Sequence, residues 1–367
     1  MTRLNIIGFE TGDGREFFAT VGSPTYPAGA VRSGQYGMLC DGSTTCYGQV
    51  AGFNASAQQA LYNAATVYIR TYLKRYDADT NFHFIRVLNT GSALKFLLTV
   101  DFGARTVSCY DSATGLLGTS AAVLSTTNWN RIEVKVATGA SAAYEVKVDG
   151  LSVLSGAANL SVVNNGSFYI GVVSGNDATA ACYVDDVSVD NSEYPGVGQI
   201  TRLDPDGNGY YTAWMGTYAD VDDYNSQAGD DGDSSYISSS TVDATESEAL
   251  EPASGVVSGT IKGAKSVLVL KRPGGSGSSS HLWIGDSSGS AWYTSSDASP
   301  TSTNVYELRA WMMGVTYLNL ANLDDHQVGL VQRTAGQSTY CTAMATMVEY
   351  EPNNVVGPFP THIQVAE

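Results

Sequence analysis

Gly285-Asp-Ser-Ser-Gly289 has the G-x-S-x-G spacing in which serine hydrolases present a nucleophile. That chemistry needs a tight strand-to-helix turn and a histidine base beside the serine. Here Ala291-Trp-Tyr-Thr294 continues as a strand, and nothing in the sequence brings His281 or His326 to Ser287. A hairpin turn is the expectation. Asp204-Pro-Asp-Gly-Asn-Gly209 sets oxygens at alternate positions with a glycine sixth, as an EF-hand loop begins. The twelfth position is Met215, where a bidentate glutamate should close the cage, and no flanking helices are evident. A glycine-rich turn is the better reading, with Asp204, Asp206 and Asn208 kept as candidate calcium ligands. Glu133 and Glu145 are the acid–base candidates of the first half, since a sandwich glycosidase needs two carboxylates flanking the scissile bond. Each lies on the polar face of an alternating strand amid Arg131, Lys135 and Lys147, which reads as a solvated ladder of charges. No catalytic residue is assigned, and no cofactor beyond the calcium alternative.

Recognition is the other chemistry on offer. Aromatic rings give large contact area for little entropy, and hydroxyls adapt their hydrogen bonds. Trp214, Tyr218, Tyr224 and Tyr236 are the ligand-contact candidates. For Trp129 and Trp214, burial inside a sandwich is favoured over contact.

Nineteen basic residues against 36 acidic ones give a formal charge of −17, which opposes a direct grip on nucleic acid. The densest acidic stretch runs from Asp204 to Glu248 and reads as a solvated loop, with divalent-cation binding as the alternative. The N-terminus enters a strand without the regions of a signal peptide, and no segment has the roughly 18 continuous apolar residues of a membrane helix. Synthesis in a cytoplasm is the expectation, without a membrane partner. The five cysteines are scattered; Cys40 and Cys46 bracket a hairpin turn and read as reduced thiols rather than a bridge.

The elements that would position these residues are strands. Arg131-Ile-Glu-Val-Lys-Val136 alternates polar and apolar residues strictly, and Tyr144-Glu-Val-Lys-Val-Asp149 repeats the pattern before Gly150. Further runs fall at Thr66–Arg70, Phe82–Val87, Lys95–Val100, Phe168–Val173 and Cys182–Val189. Ala55 to Ala65 is the one helix expected in this half. Asn191-Ser-Glu-Tyr-Pro-Gly-Val-Gly198 punctuates the chain, so the expected organisation is a domain over 1–192, a linker over 193–199 and a second domain over 200–367. The second domain's strands are expected at Gly259–Lys262, Lys265–Leu270, His281–Ile284, Asn304–Leu308, Gln327–Gln332 and Thr342–Glu349. A short helix over Tyr317–Leu323 and an extended C-terminal tail complete it. The fold class is all-β: a two-sheet jelly-roll sandwich followed by a second, mostly β domain.

Ile7-Gly-Phe-Glu-Thr-Gly12, the strand from Trp129 to Val136, the Val148-Asp-Gly150 turn and Tyr183-Val-Asp-Asp-Val-Ser-Val189 resemble a concanavalin A-like (laminin G-like) domain over residues 1–192. The resemblance implies a jelly roll and a common role in gripping sugars or protein surfaces. Tyr211-Thr-Ala-Trp214, Asp233–Thr241, Leu318-Asn-Leu-Ala-Asn-Leu323 and Met347-Val-Glu-Tyr350 resemble a C-terminal domain of tailed-bacteriophage structural proteins, over residues 200–352. That resemblance implies a virion part with little chemistry. The expectation is a non-enzymatic virion protein, in the tail or decorating the capsid. It would contact other virion proteins or host-surface glycan and form a homo-oligomer. The alternatives are a free lectin or a polysaccharide-degrading enzyme.

Overall fold

In Asn130–Ala137 the apolar members Ile132, Val134 and Val136 are fully buried while Arg131 and Lys135 stay half-exposed, so a period of two sorts the side chains to opposite faces. The computed structural model describes residues 3–17, 19–28, 31–41, 45–50, 64–76, 81–175, 180–222, 235–272, 279–294, 307–313, 318–335 and 337–353. Most of the helix expected over Ala55–Ala65, Tyr317, and the tail beyond 353 lie outside them.

The first sandwich comprises β1 (Arg3–Ile7), β2 (Ala19–Val21), β3 (Met38–Cys40), β4 (Cys46–Val50), β5 (Thr66–Arg75), β6 (Asn81–Asn89) and β7 (Leu94–Asp101). It continues with β8 (Thr106–Tyr110), β9 (Leu116–Thr119), β10 (Asn130–Ala137), β11 (Ala142–Val148), β12 (Leu151–Ala158), β13 (Asn165–Gly175) and β14 (Cys182–Asp190). Sheet A runs β1-β14-β5-β10-β11-β12 with β3 on β14, and sheet B runs β2-β4-β13-β6-β7-β8-β9. Ile69, Leu73, Ile132 and Val184 of sheet A meet Phe82, Phe96, Leu98 and Ile170 of sheet B in one core. Cys40 and Cys46 are buried free thiols in that core.

The second sandwich comprises β15 (Gln199–Leu203), β16 (Pro205–Thr212), β17 (Ile237–Ser239), β18 (Thr245–Leu250), β19 (Gly259–Lys271) and β20 (Ser280–Asp286). It closes with β21 (Ala291–Thr294), β22 (Glu307–Met312), β23 (His326–Gln332) and β24 (Thr339–Pro352). Sheet C runs β15-β24-β19-β22 with β17 on β24; sheet D runs β16-β18-β23-β20-β21. Two short helices, α1 (Ala253–Val256) and α2 (Leu320–Asp324), are described where one was expected, the second with Asn319 capping its first turn.

Two local expectations are corrected here. Asp204-Pro-Asp-Gly-Asn-Gly209 lies largely in β16, paired to β18, rather than in a turn. Tertiary pairing overrides the turn propensity, and Gly209 fits because a Cβ there would sit 2.4 Å from the Ser247 carbonyl oxygen. Gly259–Leu270, read as two strands, is one, with a bulge between Ile261 and Gly263 in its pairing to β24.

Sheet C is buried on both faces. Leu268, Met344 and Val348 point into the second core, while Val267, Val269, Ala343, Ala345 and Met347 pack outward with Ile6 of the first sandwich. Around this patch the contact is ionic. Glu349 accepts from Arg70 Nη1 at 2.6 Å and from Ser188 Oγ at 3.1 Å, and pairs with Arg3 Nε at 2.7 Å. Both Arg70 and Glu349 are fully buried, Lys265 reaches the Ile6 carbonyl and lies 3.4 Å from Glu16, and Arg202 donates to the Glu10 carbonyl. The connecting segment is strapped across the outer face of sheet A. Gly196 N–H donates to Glu133 at 3.0 Å, and Tyr194 hydroxyl to Glu145 at 2.9 Å beneath Lys147, 3.7 Å from its ring. Glu133 is therefore 2% exposed and paired to Arg131, not the solvated rung expected from its strand.

Candidate recognition face

With the outer face of sheet A covered by the connecting segment and the second sandwich, the outer face of sheet B is the broad strand surface left open among the described residues. Two cross-strand rows build it. One row follows the pairings Gln49–Tyr169, Tyr169–Arg86, Arg86–Leu97 and Leu97–Tyr110. The other carries Tyr47 opposite Gly171, then His83–Thr99 and Thr99–Ser108. Alternation places them outward because Cys46, Gly48, Val50, Phe82, Phe168 and Ile170 point inward.

Tyr47 and Tyr169 stack at 4.7 Å between ring centroids and 20° between planes, and both stay half-buried. Gly171 has φ +120°, a conformation L side chains rarely adopt, and a Cβ there would meet the Cys46 carbonyl at 2.7 Å. The β13–β6 pairing is irregular between Ile170 and Ser174. Gly171 is itself buried, and a Cβ there would also meet the core thiol of Cys40 at 3.0 Å, so the position is closed to a side chain. Arg86 stands opposite Tyr169. Among the described residues it forms no ion pair, and its Nε is buried without a hydrogen-bond partner. Burial, reinforced by the Arg86 charge, lowers the pKa of His83, so its imidazole is neutral at neutral pH and offers one donor and one acceptor. Burial raises the Tyr47 hydroxyl above its ordinary value, keeping it a donor. Neither row contains a carboxylate. A stacked aromatic pair with a neutral imidazole, an amide and a guanidinium that forms no ion pair among the described residues suits a ligand that has an apolar face and many acceptor oxygens.

The residues singled out from sequence lie elsewhere. Trp214 is 6% exposed; its indole donates to the Ala244 carbonyl at 3.0 Å and its backbone N–H to Glu246 at 2.6 Å. It anchors the second core, so its candidacy as a ligand contact is withdrawn. Tyr236 stacks on Tyr340 at 4.3 Å, and Tyr218 opens a single 3-10 turn with its N–H donating to Asn208. Tyr224 lies outside the described residues. Trp129, expected inside, is only half-buried, beside Tyr183 at 6.4 Å.

Asp204 is held by Arg202 at 2.5 Å and Asn208 accepts from the Tyr218 N–H, so two of the three calcium candidates are already engaged. Among the described residues no three His, Cys, Asp or Glu side chains converge on a metal position. Gly285–Gly289 forms the β20–β21 hairpin turn, with Asp286 accepting from Ser288 and Ser290, while His326, opposite Asp286 in register, stacks on Trp292 and has its imidazole buried against Ser266 and Thr346. Burial pulls that imidazole down to about 3.

Glu246 and Glu248, read from sequence as part of a solvated acidic loop, are instead buried in β18. Their register partners Leu330 and Val328 are core residues, so both carboxyls face the second core. Burial lifts them to about 7 and about 8.

No protein-family profile and no curated protein sequence matches the chain. Among solved structures it is similar to the cellulose induced protein Cip1, at 13% identity over 53% of this chain and 99% of that one, TM-score 0.42. It is also similar to Trypanosoma rangeli sialidase, at 17% identity over 42% of this chain, TM-score 0.33, where it spans a quarter of that chain. A third is the galectin LEC-6 of Caenorhabditis elegans, at 13% identity over 35% of this chain and 85% of that one, TM-score 0.26. At these identities the likeness is one of β-sandwich fold.

Proposed function

We propose that the protein is a non-catalytic binding protein that grips glycan on the outer face of sheet B, displayed on the exterior of a bacteriophage particle. One observation carries the binding half: Tyr47 and Tyr169 stack on each other, and Arg86, which forms no ion pair among the described residues, lies opposite Tyr169. A sugar ring offers C–H faces to the tyrosines and hydroxyl oxygens to Arg86, His83 and Gln49. The virion half rests on the resemblance of residues 200–352 to tailed-phage structural domains, with the second sandwich as the anchoring part.

The test is glycan-array binding by the full-length protein, repeated with Tyr169→Ala and Arg86→Ala. Binding that falls at least tenfold in both variants, with unchanged thermal unfolding, supports the reading. An array without any bound glycan, or variants that bind as the parent does, overturns it. Immunogold labelling of purified particles tests the location: label on the surface supports a virion part, and glycan binding by a protein absent from particles replaces it with a free lectin.

A further inference from the structure

We propose that two copies of this chain associate edge to edge through β12, making one continuous sheet from two copies of sheet A. β12 is the terminal strand of that sheet and pairs only with β11. A free strand edge offers a row of unpaired N–H and C=O groups, and proteins ordinarily blunt it with charge, proline, brevity or a cover. The other edges are blunted in those ways. β1 is covered by the second sandwich, β2, β3, β9, β17 and β21 have four residues or fewer, β15 carries Arg202, β16 opens with Pro205-Asp206, and β22 has Glu307 and Arg309 in its sequence. β12 has eight residues, Leu-Ser-Val-Leu-Ser-Gly-Ala-Ala, with neither a charge nor a proline. It is the longest undefended edge among the described residues.

Its two ends are complementary to each other. Leu151, at the start, is 73% exposed. Just past the end, Asn159, Ser161 and Val162 line a cleft of about 470 Å³ together with Ala93, Leu94 and Ala140. Antiparallel pairing about a two-fold axis sets residue 151 of one copy opposite residue 158 of the other. Each Leu151 then falls at the other copy's cleft. A surface whose knob and hole lie at opposite ends of one strand is what an isologous contact requires.

Charge selects a second copy as the occupant and this sandwich as the place. Residues 1–192 hold 12 basic and 15 acidic side chains, residues 193–367 hold 7 and 21. Two copies repel each other strongly through their second halves and little through their first, and no like charges meet along β12. The two-fold axis stands normal to sheet A. Both sheet-B faces consequently look to one side, and both acidic sandwiches lie toward the other. Two such faces on one particle would bind a multivalent surface with raised avidity. The pairing itself rests on the strand and the charge, and is independent of the glycan reading.

Sedimentation equilibrium of the full-length protein over a concentration series tests the pairing, with Leu151→Asp and Ser155→Lys as disrupting variants and Ser155→Cys as a reporter. A monomer–dimer equilibrium weakened at least tenfold by each disrupting variant is expected. Ser155→Cys, close to the axis, should form a covalent dimer with oxidised glutathione under native conditions, the five natural thiols being buried. A parent protein that stays monomeric throughout, an association indifferent to both substitutions, or a Ser155→Cys protein that never cross-links overturns the proposal.

Discussion

The two outer faces of the first sandwich read alike in sequence and differ in fate. Each alternates polar with apolar residues, and each carries arginine and tyrosine: Arg70 and Tyr72 on β5, Arg86 on β6 with Tyr169 on β13. On sheet A the polar groups are partnered. Arg70 bonds Glu349 and the Asp186 carbonyl, Glu133 takes Arg131 and Gly196, and Arg32 lies 3.4 Å over the Tyr72 ring. On sheet B, Arg86 and the Tyr47–Tyr169 pair have no second layer over them among the described residues. Alternation marks the side of a strand that is not the core, and whether water, another domain or a ligand occupies that side is decided at longer range.

The largest effect is expected where the covered face is broken. Glu349→Ala leaves Arg3 and Arg70 buried without their shared acid and should cost about 3–5 kcal/mol; chemical denaturation should also split into two transitions as the sandwiches uncouple. A stability unchanged within half a kcal/mol would show that the sandwiches do not depend on this ion cluster. The second sandwich supplies the counter-case, buried acids without a base. Glu246 and Glu248 have folded pKa values raised to about 7 and about 8, above the unfolded range. Their protonated form is favoured by folding, so the stabilisation is fully present below an ordinary glutamate pKa of about 4.3 and is lost as pH rises through 7 and 8. Stability against thermal unfolding should fall by several kcal/mol between those limits. In the Glu246→Gln/Glu248→Gln protein the slope should flatten, and an unaltered slope would place the titration elsewhere.

On the open face the effects are smaller and fall on binding. Arg86→Ala should lose about 1.5–3 kcal/mol of glycan affinity, the range for a charged hydrogen-bond donor, and leave stability within about 0.5 kcal/mol. Tyr169→Ala removes one ring of the stack and should cost about 0.5–1.5 kcal/mol of affinity beyond its lost contact area. Calorimetric titration with a glycan identified on the array checks both. If Arg86→Ala proves as destabilising as Glu349→Ala, the two faces are equally structural and the contrast fails.

Much of the architecture was legible because alternation is local. Ile132, Val134 and Val136 announce the inner side of β10 without reference to anything else, and the fold class follows from many such runs. The pairings of β16 are not local. Its Asp-Gly-Asn-Gly sequence favours a turn, and only the ladder with β18, some forty residues on, keeps it extended. Gly263 likewise suggests a break, yet it marks a bulge where Arg3 of the other sandwich closes to 3.2 Å of a would-be Cβ. The recognition face stayed hidden for the same reason. His83 and Arg86 sit in a strand that is plain in sequence, but what gives them meaning is the register that lays Arg86 beside Tyr169, 83 positions away. Trp214, singled out from sequence as a possible contact, is drawn into the second core by a pairing that its neighbours in sequence do not reveal.

Glu349 has one more implication. It lies near the end of the last described strand, yet it neutralises Arg3 in the first and Arg70 in the fifth. The domain boundary drawn at Asn191–Gly198 therefore divides the chain but not its electroneutrality. A fragment ending there would lose the acid and its covering sheet together: Arg3 would keep Asp190 at 3.2 Å, but Arg70 would be uncovered without its carboxylate, so the N-terminal sandwich is no interchangeable cassette, and grafting it onto another anchor would require re-engineering Arg70 along with the seam.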